Sequence, residues 1–216
     1  NISNIIRHNS GNERSVFSMN NQVIISISRE FGSGGRAIAQ NVAKSLNLPL
    51  YDRNILSEIS NEDGNSYEDF AEYDEKPRNP VLTRTVRGQC NSVAQLVAEM
   101  QFDFLRDKAK QGESFVVLGR CSEEILKEFD GLISIFIRGD EAAKLARVME
   151  QYDLSESKAA AKIKKHDRTR RQYHNSYSTG KWGEAGSYDL CINSSKLGID
   201  KTTEELLHYI QSRTNN

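Results

Sequence analysis

Apolar positions along the chain fall into two spacings, and together they predict strands alternating with helices. Val23 to Ser28 is short, β-branched and mostly apolar, which predicts a buried central strand. Gly32-Ser33-Gly34-Gly35 interrupts it. Ile38, Ala39, Val42, Ala43 and Leu46 then recur at helical spacing, with Asn47 and Pro49 closing the helix. Leu50-Tyr51-Asp52 predicts a short second strand ending in a carboxylate. The stretch from Arg53 to Cys90 is polar and acidic, carries Pro77 and Pro80, and predicts an inserted region of short helices and loops.

Beyond Ser92, the positions Val93, Leu96, Val97, Met100 and Phe104 mark an amphipathic helix that Gly112 ends. Phe115 to Leu118 is the next buried strand and stops at Gly119-Arg120; Glu123 to Phe129 has a helical pattern. Ile133 to Arg138 is a further strand, followed by a helix through Leu145 and Val148. A basic helical stretch, Lys158 to Arg171, precedes a loop with Gly180, Gly183 and Gly186. Leu190 to Asn193 is the last strand, and Asp200 is placed to cap a final helix carrying Leu206, Leu207 and Ile210. Strands alternating with helices predict an α/β fold with a parallel sheet covered on both faces.

The length of 216 residues suits one domain. A formal net charge of -1 gives no overall case for nucleic acid or membrane, so any electrostatic site must come from local clustering. No apolar run is long enough to span a bilayer. Cys90, Cys121 and Cys191 are scattered, which argues against a disulfide framework and for the cytoplasm, and the four histidines form no metal-ligand spacing. Residues 1–20 read as a flexible polar arm, with Met19 a candidate internal start.

The glycine loop carries the strongest chemistry. Beyond the carboxyl ends of parallel strands, a helix N-terminus offers unpaired N–H groups and partial positive charge to a phosphate. Against the pattern Gly-x-x-x-x-Gly-Lys-[Ser/Thr], the register that keeps a cation puts Gly35-Arg36 at the Gly-Lys place. Glu30 then replaces the first glycine and Ala37 the hydroxyl that normally touches Mg²⁺, with Ser33 a conceivable substitute. Two other readings fit the same letters. One is a tight strand-to-helix turn that binds nothing. The other is a Gly32-x-Gly34-x-x-Ala37 dinucleotide fingerprint with Asp52 about 20 residues on, which predicts a nicotinamide-dependent oxidoreductase.

Arg120, directly after a strand, is placed to grip a phosphate with two parallel hydrogen bonds, or else to serve as a salt-bridge partner. Lys164, Arg168 and Arg171 share one helical face, as a basic lid over a moving phosphoryl group or as a solvated surface would. Arg147 adds a cation upstream. Tyr173, Tyr177 and Trp182 suit stacking on a base or packing within the lid.

Ile27-Ser28-Arg29-Glu30-Phe31-Gly32-Ser33-Gly34-Gly35-Arg36 resembles the signature of the cytidylate kinase-like proteins. Leu50-Tyr51-Asp52, Gly119-Arg120, Asp167-Arg168-x-Arg170 and the run from Tyr188 to Asp200 extend the resemblance from about Gln22 to the C-terminus. The resemblance implies a P-loop NTPase-type three-layer sandwich with a five-stranded parallel sheet, an acceptor-binding helical insertion over 53–91 and a lid over 150–187. It implies ATP-dependent phosphorylation of a nucleoside monophosphate, with Mg²⁺. By motif match Gly32, Ser33, Gly34, Gly35, Arg36 and Ala37 bind ATP, Asp52 and Arg120 lie at the acceptor, and Arg36, Arg168 and Arg170 are catalytic. Cys121 stands where the related enzymes carry an aspartate.

Overall fold

The computed structural model describes residues 21–63, 66–76, 85–86, 89–90 and 92–214. The predicted arm, with Met19, lies outside them. Five parallel strands form the sheet: β1 (Ile24–Arg29), β2 (Leu50–Tyr51), β5 (Phe115–Leu118), β6 (Leu132–Arg138) and β7 (Leu190–Asn193). Their order is β2-β5-β1-β6-β7, so β1 is central. The short strands β3 (Thr85–Val86) and β4 (Gln89–Cys90) pair antiparallel within the predicted insertion. The helices are α1 (Gly35–Leu46), α2 (Ile55–Asp63), α3 (Val93–Lys110), α4 (Ser122–Ile125), α5 (Glu141–Tyr152), α6 (Glu156–Tyr177) and α7 (Ser194–Thr214).

Alternation along the strands builds two cores, because successive side chains point to opposite faces. Ile25 and Ile27 face one way, against Ile38, Ala39 and Val42 of α1 and Leu206 and Ile210 of α7. Ile24, Phe115 and Val117 face the other, against Ala98, Phe102 and Leu105 of α3 and Tyr173 of α6. Each fully buried aliphatic side chain here contributes about 1.5–3 kcal/mol, so a charge at Val42 would disrupt the α1 layer. The result is the three-layer α/β sandwich that the alternation implies.

Two sequence expectations shift. The predicted helix over Glu123 to Phe129 is only the single turn α4, and the chain turns again where the Phe129 N–H donates to Leu126 O at 3.0 Å. Helical backbone begins at Ser194, where the Asn193 side chain accepts from the Ser195 N–H at 3.1 Å, and the helix that carries Leu206, Leu207 and Ile210 starts past Gly198, with Asp200 inside its first turn rather than at its cap. Gly198 (φ 79, ψ 176) is the break between the two helical segments.

The sheet order also overturns the dinucleotide alternative. A nicotinamide-binding sheet sets the second strand beside the first, which brings its terminal acid to the loop as a ribose ligand. Here β5 lies between β1 and β2. Asp52 is instead paired with Arg36 at 2.8 Å and Arg120 at 3.5 Å.

Candidate active site

β1 ends at the carboxyl edge of the sheet and delivers the glycine loop to the start of α1. Gly34 is the N-cap residue at φ 79, and no side chain caps the helix. The first intrahelical bond runs from the Ile38 N–H to Gly34 O at 3.1 Å, so the amides of Gly35, Arg36 and Ala37 precede the ladder. The Gly35 N–H goes to Ser33 Oγ at 3.3 Å. The amides of Arg36 and Ala37 are left at the positive end of the helix dipole, which is the environment a phosphate needs. A cleft of about 400 Å³ opens in front of them, lined by Gly32, Gly34, Gly35, Arg36, Ala37 and Asp52, with Arg147 and Arg170.

The loop is held from below and from above. Below, Ser33 Oγ donates to Glu30 O at 2.9 Å. The Glu30 carboxylate accepts from the Gly139 N–H at 2.9 Å and from Lys144 at 3.0 Å. Above, Asp167 of α6 accepts from the Phe31 N–H at 2.6 Å, and the His166 ring stacks on Phe31 at 4.3 Å. Arg170 donates to Arg29 O at 3.3 Å, and Arg147 donates to Gly32 O. The predicted lid helix is therefore docked on the loop through the Asp167-Arg168-x-Arg170 segment.

Its basic face is not the one that meets the cleft. Lys164, Arg168 and Arg171 are all exposed, and it is Arg170, two positions beyond Arg168, that lines the cleft. Cations at that spacing mark the most polar face of α6, which is its solvent side. Ser33 is fully buried beneath the loop, and its hydroxyl is taken up by Glu30 O and the Gly35 N–H. Arg36 and Ala37 follow Gly35, so the loop offers no free hydroxyl and does not fit a directly held Mg²⁺. Tyr173 belongs to a core cluster, and Trp182 packs edge-on to Phe136 at 5.2 Å, so neither is presented to a base.

Around Asp52 and Arg120, the residues expected at the acceptor, lies a buried ionic network. Three consecutive left-handed residues, Gly119 (φ 80), Arg120 (φ 62) and Cys121 (φ 54), turn the chain after β5 so that the Arg120 side chain points back into the interior. Arg120 is 1% exposed and pairs with Asp74 at 2.8 Å, Glu75 at 3.2 Å and Asp52 at 3.5 Å. Burial alone would ease its proton off, but Glu75, Asp74 and Asp52 outweigh that and raise its pKa. Glu75 also meets Arg29 at 3.2 Å and Arg170 at 3.9 Å. Burial opposes its ionisation, yet Arg29, Arg120 and Arg170 together hold the carboxyl well below the usual carboxylate range. Burial, then repulsion from Arg29, pulls Arg170 down to about 10.

Sequence reasoning missed Arg29, Asp74 and Glu75 as site residues. Arg29 had a usable signal, since it ends a strand at the sheet's carboxyl edge as Arg120 does. The two acids lie in the featureless polar insertion and carry none. A second buried group also escaped notice: Cys121, Glu123 and His174 bring ligand-type atoms within 4.8 Å of one another. His174 Nε2 lies 2.6 Å from Glu123 Oε1, off the line that an N–H donor would take.

A loop cradling an uncapped helix start, on the central strand of a five-stranded parallel sheet with this order, defines a P-loop kinase fold. A shikimate kinase from Bacteroides thetaiotaomicron shares the fold at a TM-score of 0.52 and 13% identity, over 88% of this chain and 98% of that one. An uncharacterized protein from Eubacterium ventriosum is similar at a TM-score of 0.70 and 38% identity, over 88% and 99% of the respective chains. The cytidylate kinase of Pyrobaculum islandicum is 25% identical over 189 residues, 87% of this chain and 92% of that protein. The model of the cytidylate kinase-like family matches residues 24–196, and the chain belongs to that family.

Proposed function

We propose that this chain transfers the terminal phosphoryl group of ATP to a nucleoside monophosphate of CMP-like kind, in the cytoplasm. The observation that carries this reading is the uncapped start of α1 facing a cleft that Arg36, Arg147 and Arg170 line, with the Asp52 carboxylate on its wall. The triphosphate lies along the loop, with its oxygens toward the amides of Arg36 and Ala37 and toward those arginines. The acceptor lies toward Asp52 and Arg120.

An acceptor phosphate oxygen bonds to the γ-phosphorus while the bridging β–γ P–O bond breaks, and its electron pair leaves with ADP. Such a reaction needs positioning and positive charge rather than a covalent intermediate. Arg170 stands where it can meet both the loop and the acceptor side. Mg²⁺ would enter with the nucleotide and offset phosphate charge there; the loop, which has no free hydroxyl, would not hold it directly.

A second reading has one observation in its favour. The acceptor-side arginine Arg120 is already paired with Asp52, Asp74 and Glu75, as in a nucleotide-binding regulator that performs no transfer. Incubation with γ-labelled ATP and a panel of monophosphates separates the two. Label in a diphosphate product supports the kinase; tight ATP binding without label in any product supports the regulator.

A further inference from the structure

The structure shifts the loop by one residue from the register chosen on charge: with Gly34 as the N-cap, Gly35 and not Arg36 occupies the first position of α1, from which a P-loop lysine reaches the phosphates. No side chain fits there. A Cβ on Gly35 would lie 2.6 Å from Arg29 Cβ and 2.9 Å from Arg29 Cγ. Arg29 comes from the end of β1, crosses that space and carries its guanidinium to Gly119 at the end of β5. A Cβ at Gly119 would collide with Arg29 Nη1 and with Glu75 Oε1. The two glycines thus leave a passage for one arginine between the loop and the acceptor side.

At the end of that passage, Arg29 and Arg120 each stand 3.2 Å from the same Glu75 oxygen, and Arg170 stands 3.9 Å from the other. These cations come from three separate elements: β1, the turn after β5, and α6. Arg120 has Asp74 and Asp52 besides, but the ion pairs of Arg29 and Arg170 among the described residues are with Glu75. Glu75 itself is delivered by the turn after the 3₁₀ helix Glu68–Tyr73, in a left-handed backbone at φ 53. Glu75, Arg29 and Arg170 also line a small cavity with Ser28, Gly119 and Arg120, and Arg29 and Arg170 line the nucleotide cleft as well. The carboxylate therefore sits in the small cavity, directly behind the two arginines that line both spaces.

A carboxylate offers two oxygens and one charge. A phosphoryl group offers three oxygens and up to two charges, which suits three converging arginines better. Resting on the kinase reading above, we propose that Arg29 serves as the phosphate-gripping cation in place of the loop lysine, and that Glu75 is a resident anion filling the phosphoryl position until a phosphate displaces it. In the free protein the plug keeps the buried Arg29 and Arg120 and the partly buried Arg170 from repelling one another. On binding it swings outward about the turn at the end of the 3₁₀ segment, which the Lys76 N–H closes onto Tyr73 O at 3.2 Å while Asp74 stays anchored to Arg120 and Gln101.

Inorganic phosphate is the probe, so no acceptor need be known. Titration calorimetry should show Glu75→Gln binding phosphate about tenfold or more tighter than wild type, as expected for removing a competing charge at ion-pair distance. Adding Arg29→Ala should abolish that gain. In wild-type protein, saturating phosphate should speed hydrogen exchange of the amides in residues 72–76. Unchanged exchange in wild type with phosphate bound overturns the plug. A gain that survives Arg29→Ala overturns the role of Arg29. If Glu75→Gln does not fold, the wild-type exchange measurement decides on the plug, and the phosphate affinity of Arg29→Ala alone decides on the arginine. Phosphate-driven release in a protein that phosphorylates no monophosphate leaves this proposal standing and retires the acceptor assignment; turnover with an immobile Glu75 does the reverse.

Discussion

Asp167 Oδ1 accepts a 2.6 Å hydrogen bond from the Phe31 N–H, and this one contact ties the long helix α6 to the backbone of the glycine loop. Burial raises the pKa of this carboxyl, with the Phe31 N–H and Lys144 acting the other way. The bond fixes the amide immediately before Gly32 and sets Arg170 one turn further along. Asp167→Ala should lower stability by about 1–3 kcal/mol, the usual cost of stranding a buried donor. Its KM for ATP should rise, because the loop loses its upper support. Chemical denaturation and steady-state kinetics check the two parts separately.

Two arginines of the same helix should differ in their effect. Arg170 lines the cleft and contacts Arg29 O, whereas Arg168 is exposed. Arg170→Ala is expected to cut kcat by about 10²–10³, the range for losing one preorganised donor to a developing charge. Arg168→Ala should cost less. Equal losses in single-turnover assays would mean that α6 rotates before transfer.

Gly34 sits at φ 79, and a Cβ there would lie 3.1 Å from Ile199 Cγ1. Gly34→Ala is expected to cost about 1–2 kcal/mol for the left-handed backbone. It should weaken triphosphate binding in the same step, since the α1 amides shift with the loop. A thermal-shift series with ATP reads both, because the ligand-induced rise shrinks as affinity falls.

His174 gives a pH signature. Burial works against a charged ring, but contact with Glu123 outweighs it, so the folded pKa lies above 6.5. The stabilisation from this pair is therefore complete below 6.5 and fades as pH rises through the folded value. His174→Gln should be most destabilising below pH 6.5 and approach wild type at alkaline pH. Urea midpoints of the two proteins across pH decide it.

The β1–loop–α1 unit was legible because its two periodicities meet at a glycine run, and local pattern dictates local structure there. Asn47, expected to end α1, does so in a left-handed conformation. The strand order was not legible: nothing in the letters of β2 says that β5 will slot between it and β1. The spacing of Lys164, Arg168 and Arg171 identified a face correctly, but which face of α6 meets the cleft depends on the packing of Ile163 and Tyr173. Glu75 was invisible because its significance comes from three arginines that lie 45 or more residues away in sequence.

The turn Gly119-Arg120-Cys121 winds the chain against its natural hand for three residues in a row, and only the first is a glycine. Such a bend stores elastic energy that a straighter connection would release. Selection for heat resistance alone would relax it early, and Arg120 would then swing out to water. On the phosphotransfer reading, a thermally hardened descendant that kept its sheet but lost this bend would no longer carry Arg120 to the acceptor.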